Sequence, residues 1–523
     1  MDESYIYWLS DLSIGDAERF GEKAAYLAEI HNKKIPVPNA FVISQDYFDW
    51  VISRFRPELE EALSAVSDLQ SAYSAASRVK DIFSQFSFNE AATDVLLTNY
   101  KKIPDYVEHE KMSSLTKQLV TSGRDLPFVA IRASPLKNYP FQFKPILNAY
   151  GIEQVIDGIK RMIVSAFSPQ AIYYRYKQGI NQLDFSMAII VQKMAHAIRS
   201  GDMFSINPIK NDKSEIYVQA IWGINSDLLA NPSSYVFNKQ TRQIVEKQEI
   251  EQAKYYSKNA QFGELLLEPL PDEMRRAHLL SERELTILSD LASRIEQIMN
   301  FPQHIEWAVE RNSIQILQTR PINRIFTKPL IKTDNGVLVN TFQGSGKAII
   351  VSSKQDLQNI NSSSIMITSD ASREVFPYLV QSSGLITSAN GLTSPASQVC
   401  RDFSIPALFQ SSSLGSISSE QDVDFTGQSV DIKQPVVAEP IPQSYSDYTQ
   451  SPQTPNYVSE NSDIGSLRTQ FEHLERSLSE YVSKEAQRRA TGEHISEEDF
   501  KRSQLITELE WQIRNLRRKL ETS

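Results

Sequence analysis

A single cysteine, Cys400, is all that the 523 residues contain. That excludes an intrachain disulfide framework and any metal site built on several thiolates, and it fits a reducing compartment. Positive charge is in deficit as well. The 54 Lys and Arg face 64 Asp and Glu, for a net charge of −10. This balance argues against a protein whose main task is coating nucleic acid, while leaving room for a local basic site. No uninterrupted apolar run approaches the ~20 residues of a membrane span. The opening MDESYIYWLSDLSIGDAERF lacks a basic region followed by an apolar core, so no secretory signal is expected. The expectation is a cytoplasmic protein with neither nucleic acid nor membrane as partner.

What is present suits soluble globular domains: 41% hydrophobic and 23% charged residues. The length allows roughly three or four domains at ~150 residues each. The most informative stretch is Pro302 to Ile322, PQHIEWAVERNSIQILQTRPI. Ile305, Trp307 and Val309 alternate with Glu306, Ala308 and Glu310. Ile314, Ile316 and, by continuation, Gln318 alternate with Gln315 and Leu317 beyond a polar Arg-Asn-Ser break. Period-two patterning on both sides of such a break predicts a hairpin. Glu306 and Gln318 can then face one side from neighbouring strands. A carboxylate and an amide converging there suit a hard cation such as Mg2+ and the phosphate oxygens that travel with it. Arg320 adds a fixed positive charge suited to phosphoryl oxygens. On spacing alone, the same pattern also fits an ordinary amphipathic hairpin with its polar residues in solvent.

Elsewhere, Gly21-Glu22-Lys23-Ala24-Ala25 opens a helix with Leu27 and Ile30 on its apolar face, and Ala40 to Ile43 reads as a strand. Phe128 to Ile131 is a buried-strand candidate leading into Arg132-Ala133-Ser134-Pro135. An arginine just after an apolar strand can grip two oxygens at once, or serve a structural ion pair. Met187 to Met194 and Ile216 to Trp222 are further strands, and Leu279 to Met299 is a helix. Beyond Phe326 the character changes. Short apolar runs at Ala348–Val351, Ile365–Thr368 and Leu385–Thr387, separated by Ser- and Asp-rich turns, predict a small βα unit. Residues 435–464 are rich in Pro, Ser, Gln and Tyr and read as a flexible linker. Two amphipathic helices follow in 465–523, broken at Gly492.

In order along the chain, these segments resemble the phosphoenolpyruvate synthase and pyruvate phosphate dikinase family. IEWAVERNSIQILQTRPI is similar to the closing hairpin of that family's ATP-grasp nucleotide-binding domain. FGEKAAYLAEIHNKKIPVPNAFVIS, VAIRASP, AIYYR, QKM and SGDMFSINP resemble further motifs of the same domain. The resemblance implies that Glu306 is a metal ligand, that Gln318 lies at nucleotide and metal, and that Lys23, Arg132 and Arg320 serve the phosphates of ATP. Departures accompany it. The family's first acidic hairpin residue is His304 here, so a site built for two carboxylates would keep one. Glu22 and Ala40 replace glycines. The nucleotide-covering loop is shortened and basic over Leu136 to Lys144. Ser226 stands where the family has a glutamate, with Asp227 one residue late.

GLITSANGLTSPASQVCRDFSIPALF resembles the family's swivelling domain, in which a histidine carries phosphate from ATP to a second site. Pro395 occupies that position and offers no nucleophile. The neighbouring Thr393 and Ser394 have hydroxyls, but the simpler role for them is to cap the following helix, with Pro395 in its first turn. The family's phosphoenolpyruvate barrel is also too long for the residues after Gln434. The expected architecture is multidomain, α+β and α/β. It comprises an ATP-grasp unit over 1–326 (subdomains about 1–200 and 201–326), a joint at 327–338, a swivelling domain at 339–434 and a helical hairpin or coiled coil at 465–523. The expected function is that of a degenerate relative that binds ATP and Mg2+ without running the histidine relay, in a regulatory or scaffolding role. Alternatives are an ATP-dependent phosphotransferase acting on an unknown acceptor, and an assembly protein working or self-associating through its helical tail.

Overall fold

The computed structural model describes residues 1–103, 126–136, 143–177, 179–225, 232–258, 265–310, 313–322, 331–333, 336–339, 342–353, 355–369, 371–372, 375–388, 394–412, 414–427 and 429–432. The chain divides into two compact units, Met1–Val437 and Ala438–Ser523. The linker and helical tail expected over 435–464 and 465–523 lie outside the described residues.

The first unit is a mixed α and β structure built on three large sheets. The first has five strands: β1 (Ile6–Trp8), β2 (Ala40–Ile43), β3 (Val129–Pro135), β4 (Ile146–Ala149) and β5 (Met187–Lys193), in the order β1-β2-β5-β3-β4 and antiparallel throughout. Its strands are apolar on both sides, because both faces are covered. Phe41, Ile43, Ile131, Ile189 and Val191 join one core, with residues of the helices Gln45–Arg54, Leu69–Ser84 and Gly151–Ser165. Ala40, Val42, Ala188 and Ile190 join a second core with helix α1 (Ala17–Asn32).

The second sheet has six strands: β6 (Arg199–Phe204), β7 (Glu215–Trp222), β8 (Ser233–Asn238), β9 (Ile244–Gln248), β12 (Gln303–Glu310) and β13 (Ser313–Pro321). Its order is β13-β12-β6-β7-β8-β9. A separate ribbon pairs β10 (Lys254–Lys258) with β11 (Leu265–Pro269). Ile305, Trp307, Val309, Ile314 and Ile316 share the second core with α1 and the helix Glu282–Met299. One hydrophobic layer therefore joins the first two sheets through α1.

The third sheet comprises β14 (Ile331–Thr333), β15 (Gly336–Leu338), β16 (Gly344–Ile350), β17 (Ser364–Thr368), β18 (Gly384–Thr387), β19 (Ala407–Phe409), β20 (Asp422–Phe425) and β21 (Val430–Ile432). Strands β16 to β19 form its parallel centre. Residues 327–338, read as a joint, contribute β14 and β15, and β15 pairs onto β19. Val337 and Leu338 pair with Phe409 and Leu408 at the edge of the sheet, so this stretch carries ladder hydrogen bonds. Phe204, Tyr217 and Val236 of the second sheet share a core with Val339, Met366, Leu385 and Phe409.

The start of α1 depends on one backbone geometry. Gly21 has φ +75°, a left-handed value, and divides the helical stretch with a kink. A Cβ there would lie 2.5 Å from the Ser134 carbonyl oxygen and 2.6 Å from that of Pro135. Three residues on, the Ala24 amide donates to Ser134 Oγ at 3.1 Å. The helix thus restarts against β3, two residues from Arg132. Gly21→Ala should destabilise the protein by at least about 1–2 kcal/mol from the left-handed backbone alone, with the overlap against backbone oxygens added. Urea unfolding of the full-length protein measures this, and an unchanged midpoint would contradict it.

Candidate functional site

The hairpin forms as its alternation predicts, with one irregularity that decides its chemistry. Val309 pairs with Ile314 and Trp307 with Ile316, but Glu306 pairs with Gln318. Leu317 is the extra residue of a β-bulge. A bulge adds one residue to one strand and re-aims the side chains beyond it. In continuous alternation, Gln318 would lie on the side of Ile314 and Ile316, in the core. The bulge instead turns Gln318 and Arg320 onto the face of Glu306 and His304, and puts Thr319 inside, where its hydroxyl donates to Gln303 Oε1 at 2.8 Å.

On that face, one register row crosses the whole sheet: Gln318, Glu306, Asp202, Gln219, Ser234 and Gln248. Every member is polar. The adjacent row runs Arg320, His304, Phe204, Tyr217 and Val236. Its apolar end is the part that packs against the third sheet's core.

Arg132 reaches this face from β3 of the first sheet. Its Nη1 donates to Glu306 Oε2 at 2.8 Å and to Gln318 Oε1 at 3.2 Å. A guanidinium nitrogen thus occupies the place between two oxygens that a hard cation would take. Burial alone pushes the Glu306 carboxyl up. The Arg132 charge and hydrogen bond outweigh it, with the Arg320 charge adding to them, and its pKa falls to about 2. Arg132 Nε is buried without a hydrogen-bond partner among the described residues.

Arg320 is held beside this pair. Its Nε donates to His304 Nδ1 at 2.8 Å, and His304 Nε2 lies 3.0 Å from Asp202 Oδ1. Asn225 Nδ2 donates to the other Asp202 oxygen at 2.7 Å. Burial, then the Arg320 charge, drives the His304 pKa well below the ordinary value, so the ring is neutral. His304 is therefore a buried bridge between Arg320 and Asp202.

Of the residues picked out in the sequence, Arg132, Glu306, Gln318 and Arg320 converge on one face. Lys23 lies half-buried in the first turn after Gly21, next to the Ala24 amide that bonds Ser134. Ser394 caps the helix Pro395–Asp402, its Oγ accepting from the Ser397 amide at 3.2 Å, and Pro395 occupies the first turn. Thr393, Ser226, Asp227 and residues 137–142 lie outside the described residues. Two site residues are not among those the sequence singles out: Asp202, within SGDMFSINP, and Asn225. A carboxylate in mid-strand, with Gln219 in the middle of the next strand, was the available signal.

Among the described residues no group of three or more His, Cys, Asp or Glu side chains is arranged to hold a metal. That does not disqualify Mg2+, which commonly takes one or two carboxylates and completes its shell with water and phosphate oxygens. Glu306 and Gln318 supply hard oxygen ligands. The unspent Arg132 Nε suits an anionic oxygen. The residues present therefore fit a phosphate–Mg2+ pair. No described helix is long and apolar enough to cross a membrane.

The sequence is similar to known proteins over most of its length. The family model "Pyruvate phosphate dikinase, AMP/ATP-binding domain" matches residues 17–334. The model "PEP-utilising enzyme, mobile domain" matches 360–428. A probable phosphoenolpyruvate synthase of Methanocaldococcus jannaschii is 26% identical over 410 residues, covering 74% of this chain and 33% of that protein. One of Archaeoglobus fulgidus is 27% identical over 425 residues, covering 77% of this chain and 54% of its own length. The chain thus spans between about a third and about half of these relatives. The solved D-alanyl-alanine synthetase A from Vibrio cholerae aligns at 12% identity over 48% of this chain and 62% of its own, but its TM-score of 0.18 carries no argument.

The depressed Glu306 pKa has a testable sign. The folded-state value lies below the ordinary 4.5, so its stabilising contribution is fully present above 4.5 and is lost as pH falls toward 2. The difference in melting temperature between wild type and Glu306→Gln should be flat from neutral pH down to about 4.5, then shift against wild type as pH approaches 2. A difference independent of pH throughout would refute the charged pairing with Arg132.

Proposed function

The chain belongs to the pyruvate phosphate dikinase AMP/ATP-binding domain family, and from that premise we propose that it binds ATP with Mg2+ in an ATP-grasp site on the face built by Glu306 and Gln318. The observation that carries this reading is the convergence of Arg132 on Glu306 and Gln318 from a different sheet. Glu306 and Gln318 would hold the metal. Lys23, Arg132 and Arg320 would hold the phosphates. Bound Mg2+ would neutralise phosphate charge. The protein's own contribution is fixed dipoles and charges that need little rearrangement.

The histidine relay does not fit this chain. Pro395 has no side-chain group that could take phosphate, and the Ser394 hydroxyl is engaged as a helix cap. We read the protein as a nucleotide-responsive member of its family with a regulatory or scaffolding role, and residues 465–523 as its arm for partners or self-association. A second reading is direct ATP-dependent transfer to an acceptor without a histidine carrier. It is favoured by the convergence of Arg132 and Arg320 on one face, since such cations also stabilise a phosphoryl group in transfer. Label from the γ-phosphate appearing on an acceptor, and lost in Glu306→Ala, would distinguish it.

The deciding measurement is calorimetric titration of the full-length protein with ATP, with and without Mg2+. Saturable, Mg2+-enhanced binding is expected. Arg132→Ala should weaken it at least about tenfold, since it removes a charge-assisted hydrogen bond to phosphate. Glu306→Ala should abolish the Mg2+ enhancement. No saturable binding by wild type would overturn the reading.

A further inference from the structure

We propose that Asp202 is a positioning residue: acting through His304, it orients the Arg320 guanidinium on the nucleotide-binding face. The inference rests on the reading of that face given above and adds a residue to it.

The argument is one of proton accounting. An arginine Nε always carries hydrogen, so in the 2.8 Å contact with His304 Nδ1 the arginine donates and Nδ1 is a bare acceptor. A neutral imidazole then has its only N–H at Nε2, and that hydrogen points to Asp202 Oδ1 at 3.0 Å. The other Asp202 oxygen accepts from Asn225 at 2.7 Å, so both oxygens act as acceptors, as an ionised carboxylate offers them. Each link thus has one consistent donor and acceptor, and Asp202 selects the tautomer on which Arg320 depends. The chain is well shielded: the His304 side chain is 5% exposed and that of Asp202 16%. Glu306 and Arg401 also act on the imidazole electrostatically, with opposite signs.

The placement comes from the strand register. Asp202 stands opposite Glu306 on β6, and His304 opposite Arg320 on β13. Asp202 to His304 is therefore a diagonal step between adjacent rows of one sheet face. The two acids divide the work. Glu306 pairs with Arg132, and Asp202 reaches Arg320 by way of the ring. A tether at Nε fixes the plane of the guanidinium, which is what bidentate recognition of a phosphate requires.

The test is a double-mutant cycle on MgATP affinity in the full-length protein: wild type, Asp202→Asn, Arg320→Ala and the double variant. Asp202→Asn should weaken binding about tenfold, the scale of a lost hydrogen bond to a charged group. In the Arg320→Ala background it should change affinity less than about twofold, because the residue it positions is gone. A wild-type affinity in Asp202→Asn, or an equal loss in both backgrounds, overturns the proposal. A purely structural role would lower the melting temperature without this non-additivity. Nitrogen-15 spectra of the imidazoles, with His304 assigned by its disappearance in His304→Gln, give an arm independent of nucleotide. The proposal requires a neutral ring protonated at Nε2 in wild type and a disturbed ring in Asp202→Asn. A ring protonated at Nδ1 overturns it. If wild type fails to bind MgATP, the nucleotide reading falls by that result, while the imidazole spectra still decide whether the chain exists.

Discussion

One extra residue in one strand sets the phase on which the site depends. With Leu317 bulged out of β13, Gln318 and Arg320 stand opposite Glu306 and His304 on the polar face, while Ile316 stays opposite Trp307 in the core. A strand has period two, so a shift of one residue exchanges its faces. Without the bulge, an amide and a guanidinium would be driven into the layer occupied by Ile305, Trp307 and helix α1, at a prohibitive desolvation cost. The pairing of Trp307 with Ile316 on one side of the bulge, and on the other the hydrogen bond from the Thr319 hydroxyl to Gln303, hold the irregularity in place.

Around that phase shift, the two sheets contribute unequal parts. The second sheet supplies a row of polar side chains, and the first supplies Arg132. Their relative placement follows from the shared core through α1, whose restart at Gly21 abuts the strand that carries Arg132. Packing and chemistry are therefore coupled. Whatever moves α1 moves Ser134, and with it the arginine two residues away.

Much of this was legible from residues. The alternation of Ile305, Trp307 and Val309 announced the hairpin, and the apolar run before Arg132 announced a buried strand, but the strand runs on through Arg132 to Pro135, so the cation sits in mid-strand rather than after its end. The Ser-Pro pair at 394–395 announced a helix cap. The bulge was not legible, because nothing in QILQTRP distinguishes a continuous strand from one that slips by a residue; the choice is made by packing against Trp307. Asp202 was passed over for a related reason. A mid-strand carboxylate acquires meaning only once the register places it opposite Glu306 and beside His304, and register is a long-range property. His304, read as the loss of an acid, turns out to be a connector between a carboxylate and a guanidinium.

The pairing of Arg132 with Glu306 has a consequence for how such a face would meet its ligands. The two groups already satisfy each other, so neither is an idle charge waiting in solvent. A phosphate that drew Arg132 Nη1 away would leave Glu306 without that partner, and a metal that took Glu306 Oε2 would release Nη1. Each arrival would then lower the cost of the other, coupling anion and cation as heterotropic partners through a single broken contact. The resting ion pair would then act as a latch that opens economically only when both are present.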